Sequence, residues 1–282
     1  MSKRGKGKDK TGRTNLNWAP IIKRAAEIVN EYSSSVTLRQ VFYRLVSEQL
    51  IPNTESKYHY LSSETAKLRR SSKFPRLVDM SREMYRPSSF DSVSDGLRAL
   101  FKQYRRNRLA TQKYNVYLGI EKYALLNLLR EWFDYESITI IPTKGYTSES
   151  LERDIIEDIE KDGRPSVLLY AGDYDPTGKD IYRNFIEKVS FDVTINIALS
   201  KEQVIRYNLP VQMAKSGDPR ANNYDNEQVE LDALPPIALR ELYTDAISTY
   251  IDYPEIEIIH DQETEDRERL IRYYEIETQS ET

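Results

Sequence analysis

Apolar residues recur at helical spacing in the stretch TLRQVFYRLVSEQL, residues 37–50. Five of them fall at positions i, i+3, i+4, i+7 and i+8, so they share one face of a helix and are expected to form its buried stripe. They are Leu38, Val41, Phe42, Leu45 and Val46. Because Thr37 is a favourable N-cap, the pattern predicts an amphipathic helix that begins directly after it.

Further helices are predicted on both sides of this one. A first helix covers about residues 19–32, and Thr54 caps a third helix that carries several basic side chains. A helix, a short turn and a basic helix are the outline of a helix-turn-helix or winged-helix module. Segment 73–86, which contains three arginines, is the candidate wing, and a basic helix at about residues 93–108 completes this half of the chain.

From residue 114 onward, short β-rich runs alternate with helical stretches. The β-rich runs are residues 115–120, 137–142, 166–171 and 193–199. The helices between and after them are expected near residues 122–133, 148–161, 178–188, 201–207 and 236–251. Such alternation is typical of an α/β domain with a mostly parallel sheet.

Four successive regions are therefore predicted. They are a basic disordered arm at 1–16, a winged-helix domain at 17–110, an α/β domain with its C-terminal extension at 111–251, and an acidic tail or frayed helix at 252–282.

Composition narrows the chemistry that this chain can perform. The 282 residues include no cysteine and two histidines, so disulfides, thiolate catalysis and cysteine-bound metals are excluded and a multi-histidine metal site is not expected. Catalysis would have to use carboxylates, hydroxyls, phenols, lysine and arginine. There is no run of 18 apolar residues, so we expect no membrane span and a cytoplasmic location.

The net charge of −4 conceals a division along the chain. Residues 1–113 contain 24 Lys and Arg against 10 Asp and Glu, a net charge of +14, whereas residues 114–282 carry −18. This asymmetry indicates that the N-terminal half binds a polyanion, and nucleic acid is favoured because the basic residues cluster on predicted helices. Two solvated surfaces of different charge are the alternative.

The motif YAGDYDPTG, residues 170–178, places two carboxylates directly after a hydrophobic strand. Ligands of α/β sheets bind at the carboxyl ends of strands, and Asp173 and Asp175 are of the type that binds hard divalent cations. A βα turn that favours Asp, Pro and Gly for its geometry is an equally good interpretation of this motif alone.

A second strand also ends in an acid, in the run NVYLGIEK at residues 115–122. If the two strands are neighbours, Glu121 meets Asp173 and Asp175 at one edge of the sheet. Three carboxylates repel one another there, and a bound cation would relieve the repulsion. Two further acids, Glu230 and Asp232, are weaker candidates for extending this site, and an exposed strand edge explains them as well.

The helix after Thr37 carries a candidate nucleophile. Tyr43 lies about 130° from the centre of the apolar stripe, and Arg39 lies one turn earlier on the same side. A phenol outside the buried face, with a guanidinium in reach, can attack a phosphate or contact one. Because the chain contains 21 tyrosines, a structural role for Tyr43 is the alternative.

Together these motifs resemble a known family. A first strand that ends in Glu and a later strand that ends in Asp-x-Asp resemble the Toprim domain of topoisomerases and primases. Joined to an Arg-x-x-aromatic-Tyr helix in a winged-helix module, they resemble the A subunit of topoisomerase VI, a type IIB enzyme, and the related meiotic double-strand-break transesterase. Residues 17–251 are similar to uncharacterised bacterial and phage Toprim proteins, which share LRQVFYRLVSxxLIPNT at 38–54, GDYDPTG at 172–178 and VELDALPP at 229–236.

The resemblance implies magnesium-dependent DNA cleavage by tyrosine transesterification. Tyr43 would be the nucleophile, assisted by Arg39, and Mg²⁺ would be bound by the matching acids. These acids are Glu121, Asp173 and Asp175. Basic residues of the third and fourth helices would grip the backbone of double-stranded DNA. They are Lys57, Lys67, Arg69, Arg70, Arg105 and Arg106.

The resemblance also implies a homodimer in which the tyrosine of one chain approaches the metal site of the other. Strand passage driven by ATP would need a separate ATPase subunit, because this chain has no room for that domain. The expected location is cytoplasmic, in association with the nucleoid.

Two other functions remain open. A Toprim nuclease would use the same acids with water as the nucleophile, and Tyr43 would be dispensable. A non-catalytic DNA-binding protein would keep the basic half and use the acids only structurally.

Overall fold

The computed structural model of the chain describes residues 16–32, 36–78, 87–213 and 227–280. The helices in these residues are α1 (Trp18–Glu31), α2 (Leu38–Ser47), α3 (Glu55–Arg70), α4 (Val93–Gln103), α5 (Leu126–Trp132), α6 (Glu149–Asp162), α7 (Pro176–Val189), α8 (Lys201–Arg206), α9 (Pro236–Ile247) and α10 (Tyr253–Ser280). The strands are β1 (Asn115–Ile120), β2 (Thr139–Pro142), β3 (Ser166–Ala171), β4 (Val193–Ala198), β5 (Gln212–Met213) and β6 (Glu227–Gln228). The chain is thus mixed α/β. Across the described ranges, no helix combines the length and apolarity that crossing a membrane requires.

The chain divides into two compact units that are not successive stretches of sequence. The first contains residues 1–80, 172–179 and 198–239. The second contains residues 81–171, 180–197 and 240–282. The domains predicted from the sequence, with a boundary near residue 110, stay a prediction. The first unit joins distant segments, because residues 172 and 174 exchange backbone hydrogen bonds with residues 198–199 and 229, and the turn at residues 231–233 packs on α2.

The predicted amphipathic helix is confirmed as α2, and local hydrogen bonds set its start. Thr37 accepts the amide N–H of Gln40, and the Gln40 side chain accepts the amide of Thr37 at 2.8 Å, which completes a capping box. Val41, Phe42, Leu45 and Val46 are buried, and Leu38 is half-buried. These side chains form the core of the first unit together with apolar residues of α1 and α3.

Only part of the candidate wing lies within the described residues. Segment 73–78 ends in a parallel bridge between Val78 and Thr37, whereas residues 79–86 fall outside, as does the predicted basic arm up to residue 15.

The main sheet confirms the predicted mostly parallel arrangement. Its strand order is β2-β1-β3-β4, and β1 pairs in parallel with both β2 and β3. Ile120, at the carboxyl end of β1, lies opposite Pro142 and Ala171. Every residue of β1 and β3 is buried, as expected of central strands in a parallel sheet that helices cover.

The fourth helix is shorter than predicted, and two predicted DNA-binding residues lie beyond its end. It ends at Gln103. Arg105, which follows it, forms a bidentate ion pair with Asp134, and both N–O distances are 2.8 Å. Arg106 binds Asp266 through two nitrogens, at 2.7 and 2.6 Å. Both guanidinium groups are thus paired with carboxylates of the same unit, and the contact of Arg105 and Arg106 with DNA stays a prediction.

Residues 253–280, in the region predicted to be a frayed helix or an acidic tail, form helix α10. Its Glu263 is completely buried and accepts hydrogen bonds from Arg108 at 2.8 and 3.1 Å and from Arg267 at 2.5 Å. Ile256 is buried as well. Pairing of an acid with buried arginine, together with apolar burial, attaches this acidic segment to the second unit instead of leaving it solvated.

Candidate active site in the first unit

Tyr43 lies in the middle of α2 with its ring half-buried and its hydroxyl beside a guanidinium. Nη2 of Arg39, one helical turn earlier, donates a hydrogen bond to the hydroxyl at 3.2 Å. The same guanidinium lies 5.3 Å from the centre of the Tyr43 ring, and the ring packs edge-on against Phe42. The i, i+4 spacing of a helix thus brings the two side chains together, as the sequence predicts.

A carboxylate from a distant segment completes this arrangement. The hydroxyl of Tyr43 donates a hydrogen bond to Oε1 of Glu230 at 3.2 Å. Nη2 of Arg39 lies 3.9 Å from Oε2 of the same carboxylate. The side chain of Glu230 is 17% exposed, whereas that of Arg39 is 57% exposed. The phenol is therefore held between a hydrogen-bond donor that is always charged and an acceptor.

Residues 228–231 connect Tyr43 to the aspartate loop, residues 172–178, which carries Asp173 and Asp175. Oδ1 of Asp173 accepts the amide N–H of Leu231 at 2.8 Å. Tyr174 and Val229 exchange two backbone hydrogen bonds of 2.9 Å. The segment that positions Glu230 is therefore bonded to the aspartate loop on both sides of that residue, within the same unit.

The aspartate loop also has the turn geometry that the sequence left open as an alternative. Oδ1 of Asp175 accepts the amide of Gly178 at 2.6 Å, in the first turn of α7, and its Oδ2 accepts Nε2 of Gln228 at 3.2 Å. The chain folds back so tightly that a Cβ on Gly178 would lie 2.6 Å from the carbonyl oxygen of Asp173. Asp175 therefore has a structural role in this loop.

Acidic groups surround Arg39 and favour its charged form. Burial by itself lowers the pKa of Arg39, but the nearby acidic groups outweigh burial and raise the pKa. These groups are Tyr43, Glu230, Asp232 and Asp173. Asp232 is buried in the short turn that follows Glu230, and this turn packs against α2. Arg39 thus supplies the positive charge in a site that is otherwise acidic.

Glu121, the third predicted metal ligand, directly follows β1 in the second unit. It is half-buried, and its amide N–H donates to the carbonyl of Ala171 at 2.9 Å. In the portion of the chain that the structure describes, no group of three or more acidic or histidine side chains is arranged to hold a metal ion. The convergence of Glu121 with Asp173 and Asp175 stays a prediction.

The remaining predicted DNA-binding residues lie on α3. Lys57 places its ammonium group 6.0 Å from the centre of the Trp18 ring, and Lys67 forms an ion pair with Glu64 at 2.6 Å. Arg69 donates to a backbone carbonyl of its own helix, and Arg70 is exposed at the helix end. Of these four, Arg70 is the best placed to contact a phosphate.

An open cleft of about 230 Å³ lies beside Tyr43. It is lined by Arg39, Phe42, Tyr43, Asn53, Thr54, Glu55 and Tyr58. A ligand that enters this cleft reaches one side of the phenol and the guanidinium together. Tyr43 is thus only partly buried. Complete burial of its ring in the core would have excluded a role as nucleophile.

The sequence pattern pointed to Tyr43, Arg39 and Asp173, whereas Glu230 was only a weak candidate for extending the acidic site. The acid-rich run VELDA was the available signal, and an exposed strand edge explained it equally well. Neither protein-family models nor curated proteins give a match to this chain.

Proposed function

We propose that this protein cleaves DNA by tyrosine transesterification, with Tyr43 as the nucleophile. In this proposal the N-terminal helices are a winged-helix module, and the parallel sheet with its aspartate loop is a Toprim domain. The observation that carries the proposal is the position of the Tyr43 hydroxyl. It lies between Arg39 and Glu230 at the edge of an open cleft, and residue 231 binds Asp173.

The proposed reaction forms one bond and breaks another at a DNA phosphate. The oxygen of Tyr43 attacks phosphorus, the bond from phosphorus to one deoxyribose oxygen breaks, and a phosphotyrosyl enzyme and a free hydroxyl result. Arg39 favours the step because its positive charge stabilises both the developing phenolate and the charge on the phosphate. A phenol with an ordinary pKa of ~10 needs such activation at neutral pH.

Magnesium is the proposed cofactor. Carboxylate oxygens are the ligands that Mg²⁺ prefers, and Asp173 and Asp175 supply them on a loop that amide groups of the chain hold in place. Glu121 is the proposed third acid. A bound ion at such a site supplies charge stabilisation to the reacting phosphate. Chelation with EDTA is therefore expected to stop cleavage, and added magnesium is expected to restore it.

A double-strand break requires two nucleophiles, so the proposal includes a homodimer. Each chain contributes one Tyr43 and would cut one strand of the duplex. Sedimentation of the full chain with and without a short duplex measures whether two copies assemble.

A covalent adduct is the direct test of the proposed function. The full-length protein is incubated with end-labelled duplex DNA and magnesium, stopped with detergent, and analysed with and without protease. We expect labelled DNA to co-migrate with the wild-type protein and to be released by protease.

Tyr43→Phe is expected to abolish the adduct, because phenylalanine keeps the ring and lacks the attacking oxygen. Tyr58→Phe is the matched control, since Tyr58 lines the same cleft, and it should form the adduct normally. Cleavage by Tyr43→Phe at the wild-type rate would instead identify a nuclease that uses water, and binding without cleavage by the wild type would identify a DNA-binding protein.

A further inference from the structure

Glu230 is positioned to act on the hydroxyl of Tyr43, and the proposed function leaves this carboxylate without a role. Its Oε1 lies 3.2 Å from the phenol oxygen, within the distance over which a general base takes a proton. The phenol is protonated at neutral pH and must lose its proton as it attacks. The inference rests on the proposed function, because it concerns the same reaction.

Arg39 and Glu230, the two hydrogen-bond partners of the Tyr43 hydroxyl, differ in their ability to accept a proton. Arg39 is a donor only and stays protonated, so it cannot accept the phenolic proton. The carboxylate of Glu230 can accept it. The proton of the hydroxyl therefore points toward Glu230 while Arg39 binds the oxygen that will carry the negative charge.

Glu230 is held in place by its neighbours along the chain. Val229, before it, exchanges two backbone hydrogen bonds with Tyr174, and Leu231, after it, donates to Asp173. The side chain is 17% exposed, so little water competes for the carboxylate. Such pre-positioning is what proton transfer in a transition state requires.

We propose that Glu230 is the general base of the cleavage step. As the bond from Tyr43 to phosphorus forms, the phenolic proton moves to Oε1 of Glu230. The bond from phosphorus to the deoxyribose oxygen breaks, and solvent water protonates that oxygen. In resealing, the hydroxyl of the DNA attacks phosphorus and releases its proton to solvent water, while the bond from phosphorus to Tyr43 breaks and protonated Glu230 gives its proton to the phenolate that leaves.

The rate of adduct formation against pH tests this role. Single-turnover rates are measured for the full-length chain with magnesium between pH 5.5 and 9. The wild-type rate should vary little, because the carboxylate of Glu230, and not hydroxide, takes the proton. Glu230→Gln should be slower by about 100-fold or more, and its rate should rise about tenfold per pH unit as hydroxide replaces the base.

Two further variants separate proton transfer from structure. Glu230→Ala should regain part of its activity when formate is added, because a small carboxylate can enter the space that the side chain leaves. Glu227→Gln, which removes a half-exposed carboxylate from the same segment, should match the wild type. If Glu230→Gln fails to fold, Glu230→Asp replaces it in the test. Aspartate keeps the negative charge but holds the carboxylate farther from Tyr43. Adduct formation should then be slow, and its rate should not rise steeply with pH.

The outcomes distinguish the role of Glu230 from the proposed function on which it rests. Adduct formation by Glu230→Gln at the wild-type rate, or a slow rate that does not change with pH, would overturn the role of Glu230 while the tyrosine mechanism stands. Failure of the wild type to form any adduct would overturn both.

Discussion

Gly178 lies where the aspartate loop approaches its own backbone most closely. A Cβ at this position would lie 2.6 Å from the carbonyl oxygen of Asp173, and backbone cannot move away as the end of a side chain can. We therefore expect Gly178→Ala to destabilise the protein by about 1–3 kcal/mol, although alanine favours a helix. Gly96→Ala is the control, since a Cβ there meets Phe90 at an ordinary 3.4 Å and should be neutral or stabilising by up to about 1 kcal/mol. Urea unfolding of both variants measures whether each substitution lowers or raises the free energy of unfolding.

The ring of Tyr43 contributes to packing, whereas its hydroxyl contributes to the site. Tyr43→Phe retains the ring against Phe42 and loses the bonds to Arg39 and Glu230. We expect its free energy of unfolding to fall by about 1 kcal/mol or less, because a net hydrogen bond contributes about that amount. A loss above about 3 kcal/mol in urea unfolding would mean that the hydroxyl is structural.

At the scale of an element, the start of α2 depends on its cap. Thr37 accepts a hydrogen bond from the amide of Gln40, whereas Thr54, at the start of α3, makes no such side-chain bond. We expect Thr37→Ala to reduce stability by about 1 kcal/mol and Thr54→Ala to cost less. Because Tyr43 lies on α2, hydrogen exchange of the α2 amides should also increase in Thr37→Ala. Equal losses in the two variants would contradict this assignment.

The attachment of α10 depends on a buried ion pair. Glu263 is completely buried and bonded to Arg108, so Glu263→Gln should destabilise the protein by about 3–5 kcal/mol, since it leaves a buried guanidinium uncompensated. Glu265→Gln, an exposed position on the same helix, should change stability by less than about 1 kcal/mol. Guanidinium unfolding of the two variants measures both effects.

The same pair makes stability depend on pH in a definite direction. Burial by itself raises the pKa of Glu263, but the hydrogen bonds from Arg108 and from the amide of Arg106 outweigh it and hold the pKa below its usual range. A lowered pKa contributes stability above the unfolded pKa of ~4.3 that is lost as pH falls below it. We expect the wild type to lose stability more steeply than Glu263→Gln between about pH 5 and pH 3, as thermal unfolding at a series of pH values would show.

For the whole molecule, charge asymmetry predicts how the proposed DNA binding responds to salt. Affinity should fall with a log–log slope of several units, because phosphate contacts release counterions. Arg70→Gln should reduce that slope by about one, since Arg70 is exposed on α3. Arg105→Gln should reduce it by less, because Asp134 already pairs with that guanidinium. Fluorescence anisotropy with a labelled duplex over a range of salt concentrations measures each slope.

The sequence by itself determined the local elements and their order. Helix α2 follows from the spacing of its apolar residues and from Thr37, and β1 and β3 follow from short runs of buried β-formers. It also placed Arg39 beside Tyr43, because residues four apart on a helix are neighbours. Helix ends were less predictable. Helix α4 ends at Gln103, and the arginines that follow it bind acids of other elements.

The tertiary structure alone decided which distant groups meet. Tyr43 and Glu230 are 187 residues apart, and Asp173 meets the amide of Leu231 across 58 residues. Local propensity does not encode such pairings, because they depend on long-range contacts among α2, the aspartate loop and residues 228–233. The acidic composition of residues 252–282 likewise left a frayed helix and a solvated tail open, whereas the buried pair of Glu263 with Arg108 packs this segment as a helix. In both cases the partner lies far away in sequence, and only the folded chain brings the two groups together.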